Sequence, residues 1–159
     1  MADTTQFFLN NRQLIKGLGM NTSSTSTPTY TSICSTSEVS LDTDFEEKDF
    51  YTFCDALKRN IITGCGVTLK LTVKYDANNA AIIAIQNMLN TMITSGDVTT
   101  FNNVLWQFQL LTSVTSNVLT YKTYTAPFAM KISDFGGAAE DESGFTVELA
   151  LQGPATAAA

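Results

Sequence analysis

The sequence predicts a mainly β, α+β fold: an antiparallel β-sandwich or open barrel with one flanking α-helix. Two observations carry the strands and the helix. Several stretches alternate apolar with polar residues and are separated by turn residues, the pattern of half-buried strands. The stripe Ala81, Ile82, Ile85, Met88, Leu89, Met92, Ile93 has the three- and four-residue spacing of an amphipathic helix. A third observation joins them. In "VTLKLTVKYDANNAAIIAIQNMLNTMITSGD", residues 67–97, the period changes near Asp76, so a half-wet strand feeds directly into the helix. With 159 residues, 44% of them hydrophobic, one compact domain with mobile ends is expected.

Taken in order, residues 1–20 carry Phe7, Phe8, Leu9, Leu14, Ile15 and Leu18 without a clean period and are expected to form an arm or irregular edge segment. The run "NTSSTSTPT", residues 21–29, has the composition of a solvated linker. Arm and linker are therefore assigned to residues 1–29, the folded domain to 30–153, and an unanchored tail to 154–159. In residues 31–41, Ile33, Val39 and Leu41 share a parity with Ser35 and Ser37, giving a strand with a weakly hydrophobic inner face. Dense Thr and Ser favour a strand there over a helix. "DTDFEEK", residues 42–48, reads as an acidic turn or loop. In "DFYTFCDALKRNII" Phe50, Phe53, Cys54, Leu57 and Ile61 fall on one helical face with Asp49 as cap, which predicts a second helix; the aromatic content also permits a strand.

Gly64 and Gly66 break the chain before Val67, Leu69, Leu71, Val73 and Tyr75, which point to one side of a strand. Thr68, Lys70, Thr72 and Lys74 point to the other. Asp76 or Asn78 is expected to cap the helix, which ends near Gly96. Three alternating stretches follow: residues 101–111, with Val104, Trp106, Phe108 and Leu110 in phase; 118–132, with a bend or edge position at Pro127; and 144–153, where Phe145, Val147, Leu149 and Leu151 oppose Thr146, Glu148, Ala150 and Gln152. "DFGGAAEDESG", residues 134–144, is a Gly-rich acidic connection.

The chemistry-bearing residues are few. There is no histidine, which removes the usual general base and the commonest metal ligand, so no enzyme activity, no cofactor and no metal are expected. Cys34, Cys54 and Cys65 form no zinc or redox spacing and are read as small core residues of a protein kept in a reducing compartment. Glu140, Asp141 and Glu142 lack the spaced pattern of a calcium loop. Trp106 alternates in phase with core residues, so packing explains it better than sugar stacking. Fifteen acids against nine bases give a net charge of -6, which disfavours sequence-specific nucleic-acid binding. Residues 1–10 do not read as a signal peptide, and no stretch is long enough to span a bilayer; no membrane partner is expected.

The order of parts resembles the tail tube (major tail) proteins of long-tailed bacteriophages. The resemblance rests on "TPTYTSICSTSEVSLDTDFEE", a Ser/Thr-rich opening strand with its acidic loop, on "ITGCGVTLKLTVKYDANNAAIIAIQNMLNTMITSG", strand, Asp/Asn turn and single helix, and on "DFGGAAEDESGFTVELALQG", the Gly and acid loop before a last strand. It implies a tail-tube-like β-sandwich that self-assembles into stacked hexameric rings around a channel for DNA, without specific DNA binding. It further implies tape-measure, tail-tip and tail-terminator partners and a place in the virion tail after assembly in the host cytoplasm. No catalytic residues carry over.

On that footing the wet strand faces become candidate channel wall: Thr68, Lys70, Thr72, Lys74, Thr146 and Glu148. Lys70 and Lys74 would hold DNA phosphates there unless paired with acids. Residues 42–64 are the candidate ring-stacking segment, with Asp44, Glu46, Glu47 and Asp49 expected to face Lys58 and Arg59 of a neighbouring subunit. Phe7 and Phe8 are expected to bury against a neighbour on assembly. Alternatives are another ring or tube protein, such as a secretion-tube subunit or capsid decoration protein, and a glycan-binding β-sandwich module.

Overall fold

A computed structural model describes residues 9–52 and 55–158. The elements are α1 (Asn11–Leu14), β1 (Ile15–Asn21), β2 (Tyr30–Ser32), β3 (Thr36–Thr52), β4 (Asp55–Lys74), α2 (Ala80–Ser95), a 3-10 turn (Thr99–Phe101), β5 (Val104–Thr115), β6 (Val118–Gly136), β7 (Gly144–Leu151) and β8 (Thr156–Ala157). The strands make one antiparallel sheet in the order β2-β1-β5-β6-β7-β4-β3, with β8 added beside β6. Along β4, Leu69, Leu71 and Val73 are buried, while Lys70 and Lys74 are exposed. The same alternation buries Trp106 on β5 and Val147 on β7. The sheet is dry on one face and wet on the other.

Leu18 and Met20 of β1 share one core with Leu71 and Val73 of β4. A flat sheet would hold those strands about 19 Å apart, four spacings of about 4.8 Å. The sheet therefore folds over on its dry face, with β6 as the shared strand. Up to Phe128, β6 pairs with β5, and from Phe128 onward with β7. Pro127 sits at this handover, where a partner on each side is not required throughout. Residues 33–35 bridge the two halves: the Ile33 amide donates to the Leu18 carbonyl (2.9 Å) and the Lys74 amide to the Ser35 carbonyl (3.0 Å).

Helix α2 closes the core with Ala81, Ile82 and Ile85. Its cap is Asn79, whose side-chain oxygen accepts from the Ala81 and Ile82 amides, and not Asp76 or Asn78; Asp76 instead accepts the Asn78 amide in the preceding turn. The Asn79 amide group also donates to the Ser32 carbonyl (2.8 Å), tying the helix start to β2. Gly96 ends the helix in the left-handed region (φ 72°). Asn79→Ala is expected to cost about 1 kcal/mol for the cap, a fall of roughly 2–4 °C in Tm. Asn79→Asp, which keeps the cap and loses the donor to Ser32, should recover most of it in thermal unfolding.

Several expectations need correction. The predicted helix over residues 49–62 and the loop over 42–48 are both parts of the β3–β4 hairpin, because period-2 pairing with a partner strand outcompetes a helical face that has no core to meet. The arm ends before residue 15: β1 pairs with β5 and buries Leu18 and Met20. Its irregular period has a cause, a register shift between Lys16 and Gly19, with Gly17 at φ 64°. The supposed linker, residues 21–29, is an ordered loop around Asn21, whose side chain accepts from the Ser23 and Thr29 amides. Cys34 and Cys65 are exposed, not core, while Cys54 lies outside the described residues. The tail is held in part, through β8 and the Ala158 amide, which donates to the Thr123 carbonyl.

Candidate functional site

The predicted wall residues come together. Register pairs Lys70 with Glu148, Thr72 with Thr146 and Thr68 with Ala150, all on the wet face of β4 and β7. Cross-strand neighbours extend this face onto β6, where Lys131 opposes Glu148, and onto β3, where Ser40 opposes Lys70 and Glu38 opposes Thr72. Asp42 lies 3.7 Å from the Lys70 ammonium. Three carboxylates, Glu38, Asp42 and Glu148, thus share the face with three ammonium groups, Lys70, Lys74 and Lys131.

Lys74 makes its ion pair with Glu142 of the acidic loop that follows β6. The hydrogen bond and charge of Lys74 hold the Glu142 carboxyl below its ordinary value of 4.5. Since the folded value is the lower one, the tether is intact above pH 4.5 and is lost as pH falls through the folded value. An NMR titration of the Glu142 side chain should give a midpoint below 4.5, returning toward 4.5 in Lys74→Gln.

Beyond the pair Thr43 and Val67, the β3–β4 hairpin leaves the body of the protein. Its nine β3 residues from 44 to 52 span about 30 Å at the usual strand rise. It projects large apolar side chains into solvent: Phe45 is 52% exposed and Ile62 64%. Exposed apolar groups on a long ribbon are a common feature of surfaces that meet another molecule. Of the candidate stacking residues, Asp49 forms an ion pair with Lys58 on the facing strand, and Glu47 accepts from the Asn60 side chain (2.7 Å). Asp44 opposes Gly66, Glu46 opposes Gly64, and Arg59 opposes Phe50. All six sit on one ribbon. Phe7 and Phe8 lie outside the described residues.

Two strand edges complete the site. β3 is the last strand of the sheet, and its side away from β4 carries no strand among the described residues. Beyond Phe128, β6 keeps β7 on one side, and its other side carries no strand among the described residues. A groove of about 720 Å³ runs beside the β3 edge, lined by Arg12, Lys16, Ile33, Glu38, Val39 and Ser40 among others. These edges leave no mark in the residue pattern, because edge position depends on strand order. Lys131 was also missed, though it alternates with Met130 and Ile132 and that parity was the available signal.

No protein-family model matches the sequence, and no curated protein matches it either. Solved structures do match. Over 96% of this chain and the whole of theirs, two subunits are similar: one from the tail of an empty gene transfer agent particle refined with C6 symmetry (TM-score 0.60, 14% identity), the other from the native gene transfer agent virion (0.58, 12%). A subunit of the SPP1 tail tube is similar over 91% of this chain and 76% of its own (TM-score 0.54, 11% identity). The fold is that of tail tube proteins, as the sequence resemblance implied.

Proposed function

We propose that this protein is a structural subunit of a phage-like tail tube, self-assembling into hexameric rings that stack around a channel for DNA. The observation that carries this reading is the four-stranded sheet β3-β4-β7-β6 with an open edge on each side. Adjacent strands in it are antiparallel, and four is an even number, so β3 and β6 run in opposite senses. A ring of identical copies then joins β6 of one to β3 of the next as an ordinary antiparallel pair. Wet face continues into wet face, because the side-chain period is two. Six copies, the symmetry of the gene transfer agent tail, would give a barrel of 24 strands. Its backbone circumference corresponds to a diameter of at least about 37 Å, in the range where barrels enclose an aqueous channel.

On this reading the β3–β4 hairpin contacts neighbouring subunits, through Phe45, Ile61 and Ile62 as well as its charges. The Asp49–Lys58 pair within the ribbon keeps those two groups in place. The role is structural and not catalytic, and the location is the virion tail. Tape-measure, tail-tip and tail-terminator proteins are the expected partners. Negative-stain electron microscopy of the purified protein at rising concentration, with and without a tail-tip nucleus, tests the reading. Hollow tubes are expected; a monomer that persists with the nucleus present would overturn it.

A further inference from the structure

The two open strand edges differ in charge. On β3 the wet-face positions Glu38, Ser40, Asp42, Asp44 and Glu46 are all exposed, in unbroken register with β4 from Thr72 to Gly64. On β6 the wet-face positions beyond Phe128 are Ala129, Lys131 and Ser133, and Lys131 is exposed. One edge therefore presents a row of carboxylates and the other an ammonium group. Asp42 has Lys70 at 3.7 Å, but among the described residues Glu38, Asp44, Glu46 and Lys131 make no ion pair.

An unpaired strand edge is a template for any other strand edge, so three joints between copies compete. Two β3 edges related by a two-fold axis perpendicular to the sheet, centred on Asp42, set Asp42 against Asp42 and Glu38 against Glu46. Two β6 edges centred on Lys131 set lysine against lysine. Like charges directly opposite on neighbouring strands are destabilising. The mixed joint of β6 with β3 is the one of the three that brings unlike charges together. When wet face continues into wet face, the period of two puts Lys131 opposite an even-numbered position of β3 whatever the stagger. Opposite Ser40 it still has Glu38 and Asp42 as diagonal neighbours about 7–8 Å away, within reach of a long side chain.

We infer that these charges select the joint: the β3 carboxylates admit the Lys131 edge of a second copy and turn away a second β3 edge, so that subunits close head to tail instead of pairing off about a two-fold axis. The inference rests on the tail-tube reading and adds to it the residues that decide which edge meets which. Lys131 is the side chain on which it turns, because residues 129–133 carry no other charge.

The test uses tubes assembled on a tail-tip nucleus from equal parts of 15N-labelled and unlabelled protein. A carbodiimide joins amine to carboxylate in direct contact, and mass spectrometry reads the products. A mixed-label link from Lys131 to Glu38, Asp42, Asp44 or Glu46 is expected, and the acid reached gives the stagger. Lys131→Glu is expected to raise the concentration needed for assembly at least about tenfold, and adding the reversal of the linked acid, for instance Asp44→Lys, should restore it. An unchanged threshold in Lys131→Glu would overturn the inference. So would rescue by Glu148→Gln, which relieves only the neighbour of residue 131 within the subunit. Should Lys131→Glu lose its cooperative melt, Lys131→Gln takes its place, with a smaller rise that Lys131→Arg does not show. Below the assembling concentration, Glu38→Gln/Asp42→Asn/Asp44→Asn/Glu46→Gln should sediment with more dimer than wild type, and an equal dimer fraction would sink the repulsive half. Failure of wild type to assemble on the nucleus sinks the tube reading and this inference with it, whereas tubes in which Lys131 links to no β3 acid of another copy sink the inference alone.

Discussion

A protein in which residues 44–66 are replaced by Asn-Gly, joining Thr43 directly to Val67, is expected to fold normally and to form no tubes. The cut follows the register, since Thr43 and Val67 already face each other across the hairpin, and Asn-Gly suits a two-residue hairpin turn. Among the described residues, none of the buried core lies in the excised segment. Its ordering is sustained by ladder pairing and by local contacts such as Asp49 with Lys58. Thermal unfolding should therefore stay within a few degrees of wild type, on the scale expected for loss of about 1 kcal/mol. Electron microscopy should find single subunits or isolated rings at concentrations where wild type gives tubes. Normal tubes from the shortened protein would remove the hairpin from any account of stacking.

Trp106→Ala is expected to have the largest effect on stability, a loss of about 3–5 kcal/mol measured by denaturant unfolding. Trp106 is fully buried on β5. It pairs in register with Ala126 on β6 and with Met20 on β1, so its ring fills space at the centre of the folded-over sheet. The indole nitrogen is buried without a hydrogen-bond partner. Trp106→Phe, which removes that donor while keeping most of the apolar volume, should consequently cost much less than the alanine variant. A similar loss in both variants would mean that the indole's full shape matters and the orphan donor does not.

What the sequence made legible was the alternation itself. Where one face is buried and the other wet, as at Val67 to Tyr75 and Phe145 to Leu151, the period of two is imposed on the chain and can be read back from it. The wet-face positions Thr68, Lys70, Thr72, Lys74, Thr146 and Glu148 emerged for that reason, and register places them on one face of β4 and β7. The hairpin was misread because, among its described residues, neither face is buried in this chain. Without that constraint, Phe50 and Ile61 could be fitted equally to a helical face. The loop over residues 21–29 was misread for a different reason: its order comes from Asn21 and hydroxyl hydrogen bonds, for which composition carries no signal. The Ser116-Asn117 turn, with both φ angles positive, was similarly set by strand twist at a tight two-residue connection.

The hairpin and the acidic loop lie at opposite ends of β4, one beyond Val67 and the other beside Lys74. A ring built from such subunits has two chemically unlike rims. When rings of this kind join, the contact is between different surfaces, a heterologous head-to-tail interface that does not close on itself and repeats without limit. On the proposed tube reading the polymer would have a direction, its two termini would be distinguishable to any protein that binds them, and nothing described within the subunit would set the number of rings. On that reading, length would be imposed from outside the chain.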